Sequence, residues 1–244
     1  GNVVDRNVIS GNQGAGVLVS TSTAGSNVNA GTVRITRNSI FGNTGLGIDL
    51  DNSAASPRAG DGFNAAVNDA GDLDAGPNNL TNAPTLTSAT LGANTTVNGT
   101  LLVPSGERAR IEFFSTANAD PTGYGEGQTY LGFIDVTDGG AGDTDGIANG
   151  TIAFSATLPA VTNGHAITAT ATRANAGFTV LTETSEFSNA IGTASVSGRI
   201  WEDVNGDGSL ADGVGVNGVN VRLYRDNPGA GTVGAPDTLD FLVG

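Results

Sequence analysis

Asp203, Asn205 and Asp207 stand at alternate positions in the run DVNGDG, and Gly208 and Ser209 follow them. Oxygen-bearing side chains two residues apart, then a glycine for a sharp turn and a residue offering its carbonyl, are what a hard cation needs from a wrapping loop. Calcium is the expected ion, held by Asp203, Asn205, Asp207 and Ser209. Such loops close with a bidentate glutamate at their twelfth position, where this chain has Val214. Asp212 is the acid at hand to replace it, at lower expected affinity. A solvated Asx-turn loop is the other reading. Two facts favour the ion: gathered carboxylates repel unless neutralised, and some 17 residues separate a strand ending near Trp201 from one beginning near Val219, long for a structureless hairpin loop.

Other clusters are less specific. Asp69, Asp72 and Asp74, with Asp61 upstream, form a second acidic run that reads either as a calcium-tied joint or as a turn-rich linker. Residues 138–146 are acidic but diluted by glycine. Tyr124 and Glu126 lie in a glycine-rich connection, residues 115–128. An aromatic and an acid on a loop set by a rigid scaffold can bind a sugar or peptide, or Tyr124 can simply cover the end of that scaffold. Asp49 and Asp51, with Arg34 and Arg37 nearby, have the residue types of a polysaccharide-cleaving site, or they are surface residues of a terminal coil. His165, the single histidine, has no GxSxG elbow anywhere to serve, and reads as structural. Trp201 reads as core.

Composition excludes several chemistries. The ten basic residues are all Arg, and Lys, Cys and Met are absent. Schiff-base chemistry, thiol nucleophiles, disulfides and thiolate metal sites are therefore ruled out. A net charge of −14 leaves no basic stripe to replace phosphate counterions, so nucleic acid is not an expected partner. No apolar run approaches the roughly 18 residues of a membrane span. Abundant Gly, Thr and Asn without helical-period blocks predict an all-β chain.

The elements that must position these residues begin with a repeat. Residues 7–19 align with residues 38–50: Asn7/Asn38, Ile9/Ile40, Gly11/Gly42, Asn12/Asn43, Gly14/Gly45 and Gly16/Gly47 are identical. Each copy pairs a short strand with a Gly/Asn turn and a second alternating strand. So small a unit cannot bury its own apolar face and must stack on a neighbour. Residues 20–32 are expected to protrude between copies, and the repeated asparagines to hydrogen-bond up the stack. Residues 59–84 lose strand periodicity and read as a linker. Alternation returns over 85–192, with strands expected near 86–91, 96–101, 109–115, 129–136, 151–158, 165–173, 178–181 and 186–191. That count and spacing predict an immunoglobulin-like sandwich. Residues 193–244 start another β unit, which the chain ends before completing.

The repeat resembles the coils of the right-handed parallel β-helices of the pectate-lyase-like superfamily. The runs IEFFSTANADPTGYGEGQTYLG and ITATATRANAGFTVLTETSEFSNAI are similar to the Ig-like domain that often follows such repeats in bacterial secreted proteins. SGRIWEDVNGDGSLADGVGVNGVNVRLY resembles the opening of the B-type repeat of serine-aspartate adhesins. These resemblances imply terminal β-helix rungs at 1–58, a linker at 59–84, an Ig-like sandwich at 85–192 and a partial B-type repeat at 193–244. They imply an extracellular or cell-surface, non-catalytic stalk or adhesin segment, stabilised by calcium, whose partners are neighbouring modules and a glycan or protein ligand they do not name. The alternative is the carboxy-terminal accessory region of a polysaccharide-degrading β-helix enzyme.

Overall fold

A computed structural model describes residues 1–20, 32–51, 66–120 and 123–193, together with four two-residue strands further on. The described residues are all-β, in several sheets, none closed, and without an α-helix. The chain divides into two compact units, Gly1–Ser195 and Val196–Gly244.

The first unit opens with two coils of three strands each. β1 (Asn2–Asp5), β2 (Val8–Ser10) and β3 (Val17–Ser20) pair in parallel with β4 (Val33–Thr36), β5 (Ser39–Phe41) and β6 (Ile48–Asp51). The register is 31 residues throughout, so Ile9 lies on Ile40 and Val19 on Leu50, as the repeat requires. The sequence pattern missed the first strand of each coil, because Val3 pairs with Arg34 and Asp5 with Thr36, a match of backbone rather than of residue type. Between the first two strands of each coil stands an arginine in the left-handed region, Arg6 at φ 56° and Arg37 at φ 54°. Ile35, Ile40, Ile48 and Leu50 fill the coil's interior.

The rest of the first unit is two antiparallel sheets. β7 (Thr85–Thr90), β8 (Asn94–Leu102) and β11 (Thr151–Pro159) form one. β9 (Arg108–Thr116), β10 (Thr129–Thr137), β12 (Ala166–Ala174), β13 (Leu181–Thr184) and β14 (Ile191–Gly192) form the other. Alternation puts Ala109, Ile111 and Phe113 of β9 and Ile167, Ala169 and Ala171 of β12 on one face, against Val97, Leu101, Ile152 and Phe154 of the first sheet. Phe113 and Phe154 meet edge to face at 6.0 Å. The strands expected near 178–181 and 186–191 shrink to β13 and β14. Phe178 takes a left-handed φ of 53° in the turn before β13, and Ser185 and Ser188 bond individually to Ala171 and Ala169 of β12.

Part of the expected linker is instead a plug. Pro77–Leu80 makes one tight turn in which Asn78, Asn79 and Leu80 all have positive φ, a conformation Asn tolerates and Leu rarely adopts. Asn78 is fully buried. Its Oδ1 accepts from Val33 N at 2.7 Å, and its Nδ2 donates to Val33 O at 2.7 Å and Thr184 O at 2.9 Å. One amide thus joins β4 to β13.

In the second unit, β15 (Trp201–Glu202) pairs antiparallel with β16 (Val214–Gly215), and β17 (Tyr224–Arg225) with β18 (Phe241–Leu242).

Candidate functional site: where the last coil meets the sandwich

The outer face of the larger sheet is polar in sequence and buried in the structure. Glu112, Thr168, Thr170 and Thr172 are each at most 2 % exposed. Glu112 and Thr170 lie against the second coil, Thr168 lies under Gly125 and Glu126, and Thr172 bonds Thr184 of β13. The coil's last strands would otherwise present a row of unpaired backbone donors. A parallel stack satisfies those donors with its next coil. Here side chains of the sandwich take that role.

Glu126 shows the substitution most directly. Between coils, Asn12 N donates to Asn43 Oδ1 at 3.1 Å and Asn12 Nδ2 to the same oxygen at 2.7 Å. One step on, Asn43 N donates to Glu126 Oε1 at 3.1 Å and Asn43 Nδ2 to it at 2.7 Å. The glutamate stands where a third asparagine of the ladder would stand. The other ladder, Asn7 N to Asn38 Oδ1 at 2.9 Å, ends beside a second carboxylate, because Arg37 N donates to Glu112 Oε2 at 2.9 Å. Glu186 receives two donors, Leu50 N at 2.8 Å and Ala66 N at 2.7 Å. Ile35 N donates to Thr184 Oγ1 at 2.9 Å. Backbone pairing completes the seam, with Ile40 and Gly127 exchanging N–H···O bonds of 2.8 Å in both directions.

Apolar closure accompanies the polar one. Phe114, Phe187 and Leu80 pack on Ile35, Ile40, Ile48 and Leu50, so the open end of the coil's interior is stoppered by rings. Phe114 meets Phe187 at 5.4 Å and Tyr130 at 5.6 Å, both edge to face. Burial raises the pKa of Glu112 to about 7, against the opposing pull of the Arg37 N–H and the Arg37 and Arg110 charges. Burial likewise raises Glu126, which the Asn43 bonds only partly offset.

The approach is close enough to need glycines. A Cβ on Gly125 would lie 1.9 Å from Thr168 Cγ2, and one on Gly127 would lie 2.6 Å from the Phe114 ring. Gly125→Ala is therefore expected to cost about 2 kcal/mol by overpacking, measured as a lower urea midpoint; an unchanged midpoint would show that the segment is not wedged here.

Glu126 is 5 % exposed and engaged by Asn43, so it serves the seam rather than an external ligand. Tyr124, 45 % exposed, pairs through its backbone with Asn189 and borders a surface cavity of about 270 Å³ with Val67, Phe187 and Asn189. Asp69, Asp72 and Asp74 do not share a task. Asp72 is ion-paired with Arg173 and accepts from Asn82 N, Asp69 accepts from Leu73 N, and Asp74 is exposed. Among the described residues no three His, Asp or Glu side chains are placed to hold a metal ion. Asp49 and Asp51 are 1 % exposed, and Arg34 and Arg37 line a cavity that neither aspartate borders. His165 is half-buried, and its carbonyl accepts from Thr193 N at 2.9 Å. Asp203, Asn205, Asp207, Ser209 and Asp212 lie outside the described residues.

Sequence reasoning missed Glu112, Glu186 and Asn78. The signal available for Glu112 was its place within ARIEFFS, an acid on a strand whose neighbours on both sides are apolar. Comparison of the chain with protein-family models, curated proteins and solved structures gives no match.

Proposed function

We propose that this chain is a non-catalytic segment of a bacterial extracellular surface protein, a stalk or adhesin. In this reading the final rungs of a right-handed parallel β-helix are capped by an Ig-like sandwich, and a B-type repeat stabilised by calcium follows. The observation that carries it is Glu126 in the position of the ladder's next asparagine. A sandwich that supplies the terminal acceptors of a stack is built to end that stack in a fixed orientation, which is what a spacer transmits.

Other features support the same reading. The constant 31-residue parallel register suits a β-helix. The division of strands, with β7, β8 and β11 against β9, β10, β12, β13 and β14, suits an Ig-like sandwich. In the last unit Trp201–Glu202 pairs with Val214–Gly215, and in sequence the run holding Asp203, Asn205, Asp207, Ser209 and Asp212 falls between these two strands, which suits the calcium reading.

The test is thermal unfolding of the whole chain in millimolar calcium and in excess chelator. Calcium is expected to raise the melting temperature of the transition belonging to residues 196–244, and Asp203→Ala with Asp207→Ala to abolish the rise. Ligand at a hundred times its Kd stabilises by about 2.7 kcal/mol. Coincident melts would remove calcium from the proposal. Residues 1–195 are expected to unfold in one transition; separate melting of coil and sandwich would overturn the rigid joint.

A further inference from the structure

Ten arginines serve a chain of net charge −14, and three of them, Arg34, Arg37 and Arg110, line one cavity of about 190 Å³ where the second coil meets the sandwich. Two of the three are neutralised. Arg37 clasps Asp5 of the first coil through Nε at 3.0 Å and Nη2 at 2.9 Å. Arg110 clasps Asp135 through Nε and Nη2, each at 2.8 Å, and its guanidinium lies 3.9 Å from the centre of the Phe133 ring. Arg34 has no such partner among the described residues, and its Nε is buried without a hydrogen bond. A guanidinium without a carboxylate partner among the described residues, in so acidic a chain, leaves its charge to an anion that enters the cavity.

The walls beside it are aromatic. Phe133 is 47 % exposed although it sits on a strand of a packed sheet, and Tyr130 and Phe178 border the same space. Phe178 is held there by a left-handed φ that a bulky side chain rarely adopts. Glu112 also lines the cavity; because burial pushes its carboxyl up to about 7, below that pH it repels an incoming anion less than an ordinary carboxylate would. The cavity's other charged groups, Arg37 with Asp5 and Arg110 with Asp135, are already paired.

We propose that this cavity binds a small carboxylate carried on a flat apolar body, with Arg34 receiving the carboxylate and Phe133 and Tyr130 the apolar face. A guanidinium presents parallel N–H donors that match two carboxylate oxygens, and a space this small holds one ring rather than an extended ligand. The inference is independent of the stalk reading: a spacer or an enzyme accessory region would carry the same site.

The experiment titrates the whole chain at pH 6 with benzoate, its neutral isostere benzamide, acetate and inorganic sulfate, following the Phe133 and Tyr130 ring resonances and the heat of binding. Benzoate is expected to bind about tenfold or more tighter than benzamide or acetate. Arg34→Val is expected to remove that advantage without lowering the melting temperature, since the first coil already holds Val3 at the paired position. Phe133→Ala is expected to reduce benzoate to the level of acetate. N-Acetylphenylalanine separates two sources of the same chemistry: tighter binding than benzoate points to a peptide carboxy terminus, weaker binding to a free acid. Equal binding of benzoate and benzamide overturns the proposal. So does benzoate affinity unchanged in Arg34→Val, or sulfate competing as well as benzoate.

Discussion

Replacing Glu126 with alanine is expected to lower the unfolding free energy of the first unit by about 3 kcal/mol, read from the urea midpoint at unchanged slope. The loss comes from the groups left behind. Asn43 is 6 % exposed, and both its backbone N–H and its Nδ2 donate to Glu126 Oε1. With that oxygen gone, the Asn43 backbone N–H has no acceptor and Nδ2 keeps only its long bond to Ile9 O at 3.4 Å, each loss costing roughly 1–3 kcal/mol. Glu126→Gln keeps an amide oxygen at the same reach and is expected to recover roughly half or more of the loss. If alanine and glutamine behave alike, the ladder analogy fails. If neither changes the midpoint, the seam is held by its other contacts, the Glu112, Glu186, Thr184 and Gly127 bonds and the rings of Phe114 and Phe187.

Stability of the first unit is expected to fall as pH rises from about 4.5 to about 7, against the usual trend for a protein whose carboxylates are salt-bridged. The carboxyl of Glu112 is raised from an ordinary 4.5 to about 7, chiefly by burial, so the folded chain holds this proton where the unfolded chain has released it. The stabilisation is fully present below about pH 4.5 and is lost as pH passes about 7. A shift of this size corresponds to roughly 3 kcal/mol. Asp72 and Glu126, both raised by burial, act in the same direction. Glu112→Gln keeps an acceptor for Arg37 N and removes the titration. Its expected signature is a stability close to wild type at pH 5 and higher than wild type at pH 8, with a flatter profile between. A Glu112→Gln profile parallel to wild type would assign the slope to other groups.

Glu126 tests whether a side chain continues a hydrogen-bond ladder; Glu112 tests what it costs to place an ionisable group at the ladder's end. A carboxylate accepts strongly but resists burial in its charged form. The last coil gains its acceptors, and the joint becomes sensitive to pH.

Much of the architecture was legible in the residues. The Asn7/Asn38 and Asn12/Asn43 matches set the 31-residue register of the coils, because in a parallel stack each residue lies on its counterpart. Alternation in β9, β11 and β12 identified the face that forms the sandwich core, because side chains of a strand alternate between faces. What residue patterns could not reveal is which polar face would be covered. Thr168, Thr170 and Thr172 look like a solvent face, and Glu112 like an isolated charge, until the second coil, the segment at Gly125 and Glu126, and β13 are laid over them. The burial of Glu126, the plug at Asn78 and the gathering of Arg34, Arg37 and Arg110 around one cavity depend likewise on contacts between segments far apart in the chain. Periodicity is a property of neighbours along the backbone and survives in one dimension, whereas the partner of a buried donor is decided only when the chain has folded back on itself.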